Sequence, residues 1–244
     1  MRTRLDLEAV GEVVSSPGAA TLPRRGWWPG PSAPGRSARR RRPSCPLATF
    51  LSSVQGDRLY GLWRLAATTG VRRGELLGLR WVDAELERAT VRIVRAYVRG
   101  AAGLHYGEPK TASGRRMIAL DPGTVGVLRS HRARQAQERL AWGADYQGGD
   151  LLFARENGAP LDPDSVTGFF ERIVRGLGLP RIRLHNLRHT HATLALSAGI
   201  HPRVVMERLG HSSIAMTLDL YSDSIPAMQA AAADRIAALI DATA

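Results

Sequence analysis

The chain has 244 residues, 44% of them hydrophobic, enough to bury one large core or two small ones. Basic residues outnumber acidic ones 34 to 22, a net charge of +12 that points to a polyanionic partner such as nucleic acid. No run of eighteen apolar residues and no apolar signal region occurs, and a single cysteine, Cys45, excludes an internal disulfide; the expectation is a cytoplasmic protein without a membrane partner.

The charge is uneven. Residues 1–46 hold nine arginines against three acids, so half of the excess sits in about a fifth of the chain. Pro17, Pro23, Pro29, Pro31, Pro34, Pro43 and Pro46 recur there among Gly, Ser and Arg without a sustained helical or strand period. That composition predicts a disordered basic leader, with Arg39 to Arg42 either a DNA-binding arm or a solvated charge run.

Order is expected from Leu47. Leu47, Phe50, Leu51 and Val54, then Leu59, Leu62, Trp63 and Ala66, recur at helical spacing, with Gly56 separating two helices. Gly70 reads as a helix C-cap or turn, and Glu75, Leu76, Leu77 and Leu79 as the next helix, which puts Arg72 at a helix's amino end. Residues 90–98 are rich in β-branched and aromatic types, and 116–120 resemble a later strand. A turn at Ala112, Ser113 and Gly114 would make a small antiparallel sheet with Lys110 near its hairpin turn.

Helices are predicted at 123–141 and 163–176, each after an Asp-Pro start signal, at 187–198 ending on Gly199, and at 202–209 ending on Gly210. Ser212 or Ser213 would cap a further helix reaching about Tyr221, and an alanine-rich helix bearing Met228, Ala232, Ile236 and Ile240 on one face closes the chain. The division expected is a leader over 1–46, a main domain over 47–225 and a C-terminal helix over 226–244.

Arginine, histidine and a late tyrosine suit attack on a phosphodiester. Guanidinium forks hold the nonbridging oxygens of a charged, unreactive linkage, and a tyrosine can accept the phosphoryl group. Arg72 and Arg188 are the candidate clamps and Tyr221 the nucleophile. A phenol with an ordinary pKa of about 10 is ionised to only about one part in a thousand at neutral pH, so nearby cations would have to help. His185 is the candidate base or proton carrier, His211 a hydrogen-bond donor to the phosphate, and Lys110 the acid for the leaving 5′ oxygen.

Five boxes in this order, Thr69-Gly70-Val71-Arg72-Arg73-Gly74-Glu75, Pro109-Lys110-Thr111, His185-Asn186-Leu187-Arg188-His189, Leu209-Gly210-His211 and Tyr221, resemble the catalytic domain of the tyrosine recombinase (phage integrase) family. The resemblance runs from Leu47 to Tyr221. It implies a mainly α (α+β) domain of helices with a small three-stranded antiparallel sheet. It also implies a covalent 3′-phosphotyrosine on double-stranded DNA, strand exchange without metal, ATP or another cofactor, and a homotetramer on paired sites. In such an assembly the helix after Pro226 could pack on an adjacent protomer, and an accessory protein could bend the DNA. Association with the nucleoid follows from such a substrate.

Glu75 matches the position whose acid supports the first arginine. Arg73, Arg115 and Arg116 are expected as DNA-backbone contacts, the last two alternatively as exposed strand charges. His185 and His189 have i, i+4 spacing, but no carboxylate or cysteine completes a familiar ligand set, so no metal is expected; His189 and His191 read as structural hydrogen-bonders. Family members generally carry a helical core-binding domain ahead of the catalytic one. Here only the leader stands in its place, so the alternative to an active recombinase is a truncated remnant that binds DNA without completing the reaction. A type IB topoisomerase uses related chemistry, but the short spacing from His211 to Tyr221 and the small size favour the recombinase. No local motif marks the target sequence.

Overall fold

The computed structural model describes residues 46–101, 103–108, 114–180 and 182–218, with 233, 237, 238, 240 and 241 beyond them. Residues 46–218 belong to one unit that begins at Arg36; the other unit, Met1–Gly35, lies outside the described residues. The predicted disordered leader and most of the predicted C-terminal helix therefore lie outside them as well.

Helix α2 (Tyr60–Thr69) is the centre of the fold. Gly61, Leu62, Trp63, Leu65, Ala66, Ala67 and Thr69 are all buried on it, so it is covered on most of its circumference rather than along one stripe. Phe50 of α1 (Pro46–Ser53) meets Trp63 edge-on at 6.0 Å and Phe170 of α5 (Pro163–Gly176) at 4.9 Å, and Trp63 meets Phe170 at 5.6 Å. Each such pair adds about 0.5–1.5 kcal/mol beyond its buried area. The predicted division at Gly56 holds: α1 ends at Ser53 and α2 starts at Tyr60.

Helix α3 (Arg73–Gly78) lies against strand β3 (Ala96–Gly100). The approach is close enough that a Cβ on Gly74 would stand 2.9 Å from the Tyr97 carbonyl oxygen. Only glycine fits there without moving backbone, which is why α3 can carry the 72–75 box so near the sheet.

Strands β1 (Ala84–Glu85), β2 (Thr90–Ile93) and β5 (Arg116–Ala119) form the expected three-stranded antiparallel sheet, in the order β1-β2-β5. Val91 pairs with Ile118 and Ile93 with Arg116; Val91, Ile93 and Ile118 are buried, whereas Met117 is 60% exposed. The single strand predicted over 90–98 breaks after Ile93. Arg95 pairs with buried Asp83, and the chain turns into β3, which forms a separate hairpin with β4 (Gly103–Gly107). Gly100, Gly103 and Gly107 dilute the period-2 signal of that second hairpin, so the sequence reading missed β4.

Helix α4 (Pro122–Trp142) begins on Asp121, whose carboxylate accepts from the Thr124 amide at 3.0 Å. Helix α5 begins on Asp162, which accepts from the amides of Asp164 and Ser165 at 3.0 and 2.8 Å. Both Asp-Pro signals thus work as caps. Helices α6 (Asn186–Ser197) and α7 (Pro202–Leu209) share a smaller core of Ala192, Ala195, Leu196, Val205 and Leu209. His201 caps α7 through Nδ1, which accepts from the Arg203 amide at 3.2 Å. Helix α8 (Ala215–Leu218) starts where expected after the serines.

Candidate active site

The site assembles where the end of α2, the start of α3, the start of α6 and the end of α7 meet. Helix α2 stops at Gly70, whose φ of 65° is left-handed. A Cβ there would also stand 2.6 Å from Leu209 Cδ2. Gly70 therefore lets the chain turn sharply and lets α7 pack against the turn. Its carbonyl accepts a hydrogen bond from Arg188 Nη1 at 2.9 Å, joining boxes 118 residues apart.

Two residues on, Arg72 is the N-cap of α3. Its amide donates to Glu75 Oε2 at 3.0 Å and its Nη1 to Glu75 Oε1 at 2.7 Å, while Nη2 donates to the Gly210 carbonyl at 3.0 Å. The guanidinium is thereby fixed between a carboxylate and the end of α7, with the side chain still 41% exposed. Glu75 is 2% exposed. Burial alone would raise its carboxyl, but hydrogen bonds and charge from Arg116, with the backbone and side chain of Arg72, outweigh that and hold it below the usual carboxylate range.

Arg188 is 5% exposed and stands on the first turn of α6. Burial first, then the positive charge of Arg72, brings its pKa down to about 10, which leaves it charged at neutral pH. Nη2 is buried with no hydrogen-bond partner among the described residues. A buried cationic donor left unpaired by protein costs free energy, and an anion entering the cleft would satisfy it. That cleft is lined by Val71, Arg72, Leu76, Leu184, His185 and Arg188.

His185, exposed at the N-cap of α6, has its pKa lowered by burial and by the charges of Arg188 and Arg72. Its ring meets that of His189 edge-on at 4.9 Å. His189 is lowered too, by burial, His185 and Arg188. His191 is turned away, its Nδ1 3.2 Å from the Ala67 carbonyl oxygen, consistent with a structural role. His211 is buried just past α7, and its pKa falls to about 4 through burial and then the charges of Arg188 and Arg72. A neutral His211 that accepts the Thr217 hydroxyl proton at Nδ1, 2.9 Å away, carries its own proton on Nε2 and can donate from there.

Arg72, Glu75, His185, Arg188 and His211 are thus brought together; Lys110 and Tyr221 lie outside the described residues. Two of the remaining arginines are engaged within the fold. Arg116 is no exposed strand charge: its side chain is 7% exposed and spent on Glu75 and on backbone carbonyls, because it shares the inward face of β5 with Ile118. Arg73 turns to α5, donating to the Pro163 carbonyl at 3.0 Å and to Thr167 Oγ1 at 2.6 Å. Arg115 remains exposed and pairs with Glu108.

Two contributors escaped the sequence reading. Thr217 carries no motif. The inward placement of Arg116 did have a signal, its i, i+2 spacing from Ile118.

The sequence profile described as the phage integrase family matches residues 47–227. The chain belongs to that family. It is 32% identical over 186 residues to a tyrosine recombinase XerC-like protein of Caldanaerobacter subterraneus subsp. tengcongensis, covering 71% of this chain and 48% of that one. It is 27% identical over 191 residues to the ICEBs1 integrase of Bacillus subtilis, covering 77% and 51%. Among solved structures, the Tn1549 transposon integrase in complex with transposon right end DNA aligns with a TM-score of 0.66 at 27% identity, over 78% of this chain and 63% of that one. The XerH site-specific recombinase bound to palindromic difH substrate, a post-cleavage complex, aligns with a TM-score of 0.57 at 25% identity, over 77% and 50%. This chain spans about half the length of the curated relatives it matches. The fold implied by the five boxes is the fold observed, and this kinship does not favour the topoisomerase alternative.

Proposed function

We propose that this chain cuts and rejoins double-stranded DNA at specific sites through a 3′-phosphotyrosine intermediate. The observation that carries the reading is the convergence of Arg72 and Arg188 on one cleft, with the buried Nη2 of Arg188 lacking a partner among the described residues. Two fixed guanidiniums suit the two nonbridging oxygens of one phosphodiester, and their charge grows in value as negative charge concentrates there during attack. His185 and a neutral His211 lie within the field of both arginines, which suits a proton carrier and a hydrogen-bond donor.

In this reading the Tyr221 oxygen attacks phosphorus as its proton passes to His185. The new bond from phosphorus to tyrosine forms as the bond to the 5′ oxygen breaks, and Lys110 protonates that oxygen. The 5′ hydroxyl of a partner duplex then attacks the phosphotyrosine, returning tyrosine to its starting state; bond energy is conserved throughout. Arg115, exposed just before β5, is a candidate backbone contact. Four copies on paired sites, working on chromosomal DNA with an accessory bending protein, would complete the exchange. The complex of the Tn1549 relative with transposon right end DNA, and that of the XerH relative with its palindromic difH substrate, support DNA as the substrate.

A nicked suicide duplex tests the proposal. Wild-type protein is expected to trap a covalent DNA adduct and Tyr221→Phe none. If the wild-type protein forms no adduct while binding the same duplex, the chain is a DNA-binding module and the strand-transfer reading is wrong. An adduct that never proceeds to joined recombinants limits this chain to the cleavage half of the reaction.

A further inference from the structure

Arg116 spends nearly all of its donors on three separate segments. Nη2 and Nη1 donate to Glu75 Oε2 and Oε1 at 2.8 and 3.2 Å, Nη1 also to the Gly114 carbonyl at 2.9 Å, and Nε to the Arg208 carbonyl at 2.8 Å. Its partner Glu75 is at the same time the anchor of Arg72. One buried carboxylate therefore sits between two guanidiniums, one facing the cleft and one facing the interior.

The same two guanidiniums grip the end of α7. Arg116 takes the carbonyl of Arg208 and Arg72 that of Gly210, the last groups before His211. Cations at a helix C-terminus are favourable, and here they also tie α7 to β5 and α3. A buried ion pair seldom adds much stability over an apolar pair of the same volume, because desolvation offsets the attraction. What this one supplies is geometry: it keeps Glu75 ionised against the effect of its burial and fixes both carboxylate oxygens.

We propose that Arg116 is a positioning residue for the phosphate clamp, acting through Glu75 on Arg72 and through the end of α7 on His211. The proposal rests on the strand-transfer reading above and gives Arg116 a role other than contact with DNA. Lysine cannot substitute, since a single ammonium lacks the planar fork that reaches Glu75, Gly114 and Arg208 together.

The test compares wild type, Arg116→Lys, Arg116→Met, Arg72→Lys and the double variant Arg72→Lys/Arg116→Lys. Single-turnover adduct formation on the nicked duplex is measured beside equilibrium DNA affinity, and the Arg72 side-chain N–H resonance, identified by its loss in Arg72→Lys, is followed by NMR without DNA. Arg116→Lys keeps the buried charge, so the outcome does not depend on whether Arg116→Met folds. It is expected to slow cleavage about 10- to 100-fold at unchanged DNA affinity. In the Arg72→Lys background it should cost little further, because both substitutions disable one device. The Arg72 resonance should shift or broaden.

Any one of three results overturns the proposal: wild-type cleavage by Arg116→Lys, the same loss repeated in full in the Arg72→Lys background, or an unmoved Arg72 resonance. If wild type forms no adduct, the functional reading fails instead, and the resonance alone decides the role of Arg116.

Discussion

His211 and Thr217 are joined at 2.9 Å, Nδ1 to Oγ1, and both are buried. The contact spans the turn from α7 into α8 and fixes the orientation of the His211 ring; where the hydroxyl donates to Nδ1, the ring's own proton stands on Nε2. Replacing Thr217 by valine keeps the shape and removes the hydroxyl. The expected result is a cleavage rate lower by about tenfold with DNA affinity intact, the range usual for groups that orient a functional side chain. Single-turnover adduct formation against an equilibrium binding curve checks it; equal losses in both would deny the orienting role.

Arg188, which lines the cleft, holds the Gly70 carbonyl with one terminal nitrogen and leaves the other buried without a partner among the described residues. Arg188→Lys retains a charge but brings a single nitrogen in place of the two. Cleavage should fall by about 100-fold or more, the scale for losing a fixed donor to developing negative charge. A rate within a few-fold of wild type in a quenched-flow or gel assay would remove Arg188 from the clamp.

Gly74→Ala places a Cβ 2.9 Å from the Tyr97 carbonyl oxygen, so α3 or β3 must shift. Overpacking of this kind costs about 1–3 kcal/mol. A thermal melt should show a clear drop in Tm, and because α3 carries Arg72 and Glu75, cleavage by the folded fraction should fall as well.

Stability should decline in acid. His131, His191 and His211 are each pushed from 6.5 down to about 4, burial being the first cause and nearby arginine charges adding to it. The unfolded chain takes up protons near pH 6.5, while the folded chain resists them until about 4. Their contribution is therefore fully present above 6.5 and is lost as pH falls toward 4, by at most about 1.4 kcal/mol per histidine per pH unit. His131 Nε2 lies 2.8 Å from the Leu152 carbonyl oxygen, a bond glutamine can keep. Denaturant melts across this range should give a shallower decline for His131→Gln; an identical slope would contradict the assignment.

Binding to duplex DNA should depend steeply on salt. Contact with about six phosphates predicts affinity falling about 10³-fold from low to physiological salt. A salt titration by fluorescence anisotropy measures this, and a nearly flat response would rule out an interface built mainly on charge.

Much of this was legible along the chain. The Asp-Pro pairs at 121–122 and 162–163 act through local geometry, since a carboxylate one residue before a proline caps the helix that the proline starts. Arg72 was legible at a helix's amino end because Gly70 reads as a C-cap; there the Glu75 carboxylate, three residues on, accepts from both the amide and the guanidinium of Arg72, one half of a capping box, since a guanidinium cannot accept the return bond. The break after Ile93 was not, because Arg95 leaves the strand to reach Asp83, a partner twelve residues back that no strand period encodes. Nor was the reach of Arg73 to α5, more than ninety residues on, made while its side chain stays 39% exposed.

The sequence by itself determined the family, the helix starts and stops, and the identity of the cationic groups, because each of these depends on residues a few positions apart. Which arginine faces the cleft, which is buried, and what holds each in place was decided only by tertiary structure. Arg72, Arg73, Arg115 and Arg116 have the same side chain, and their roles diverge because Glu75, the carbonyls ending α7 and the first turn of α5 compete for their donors across the fold.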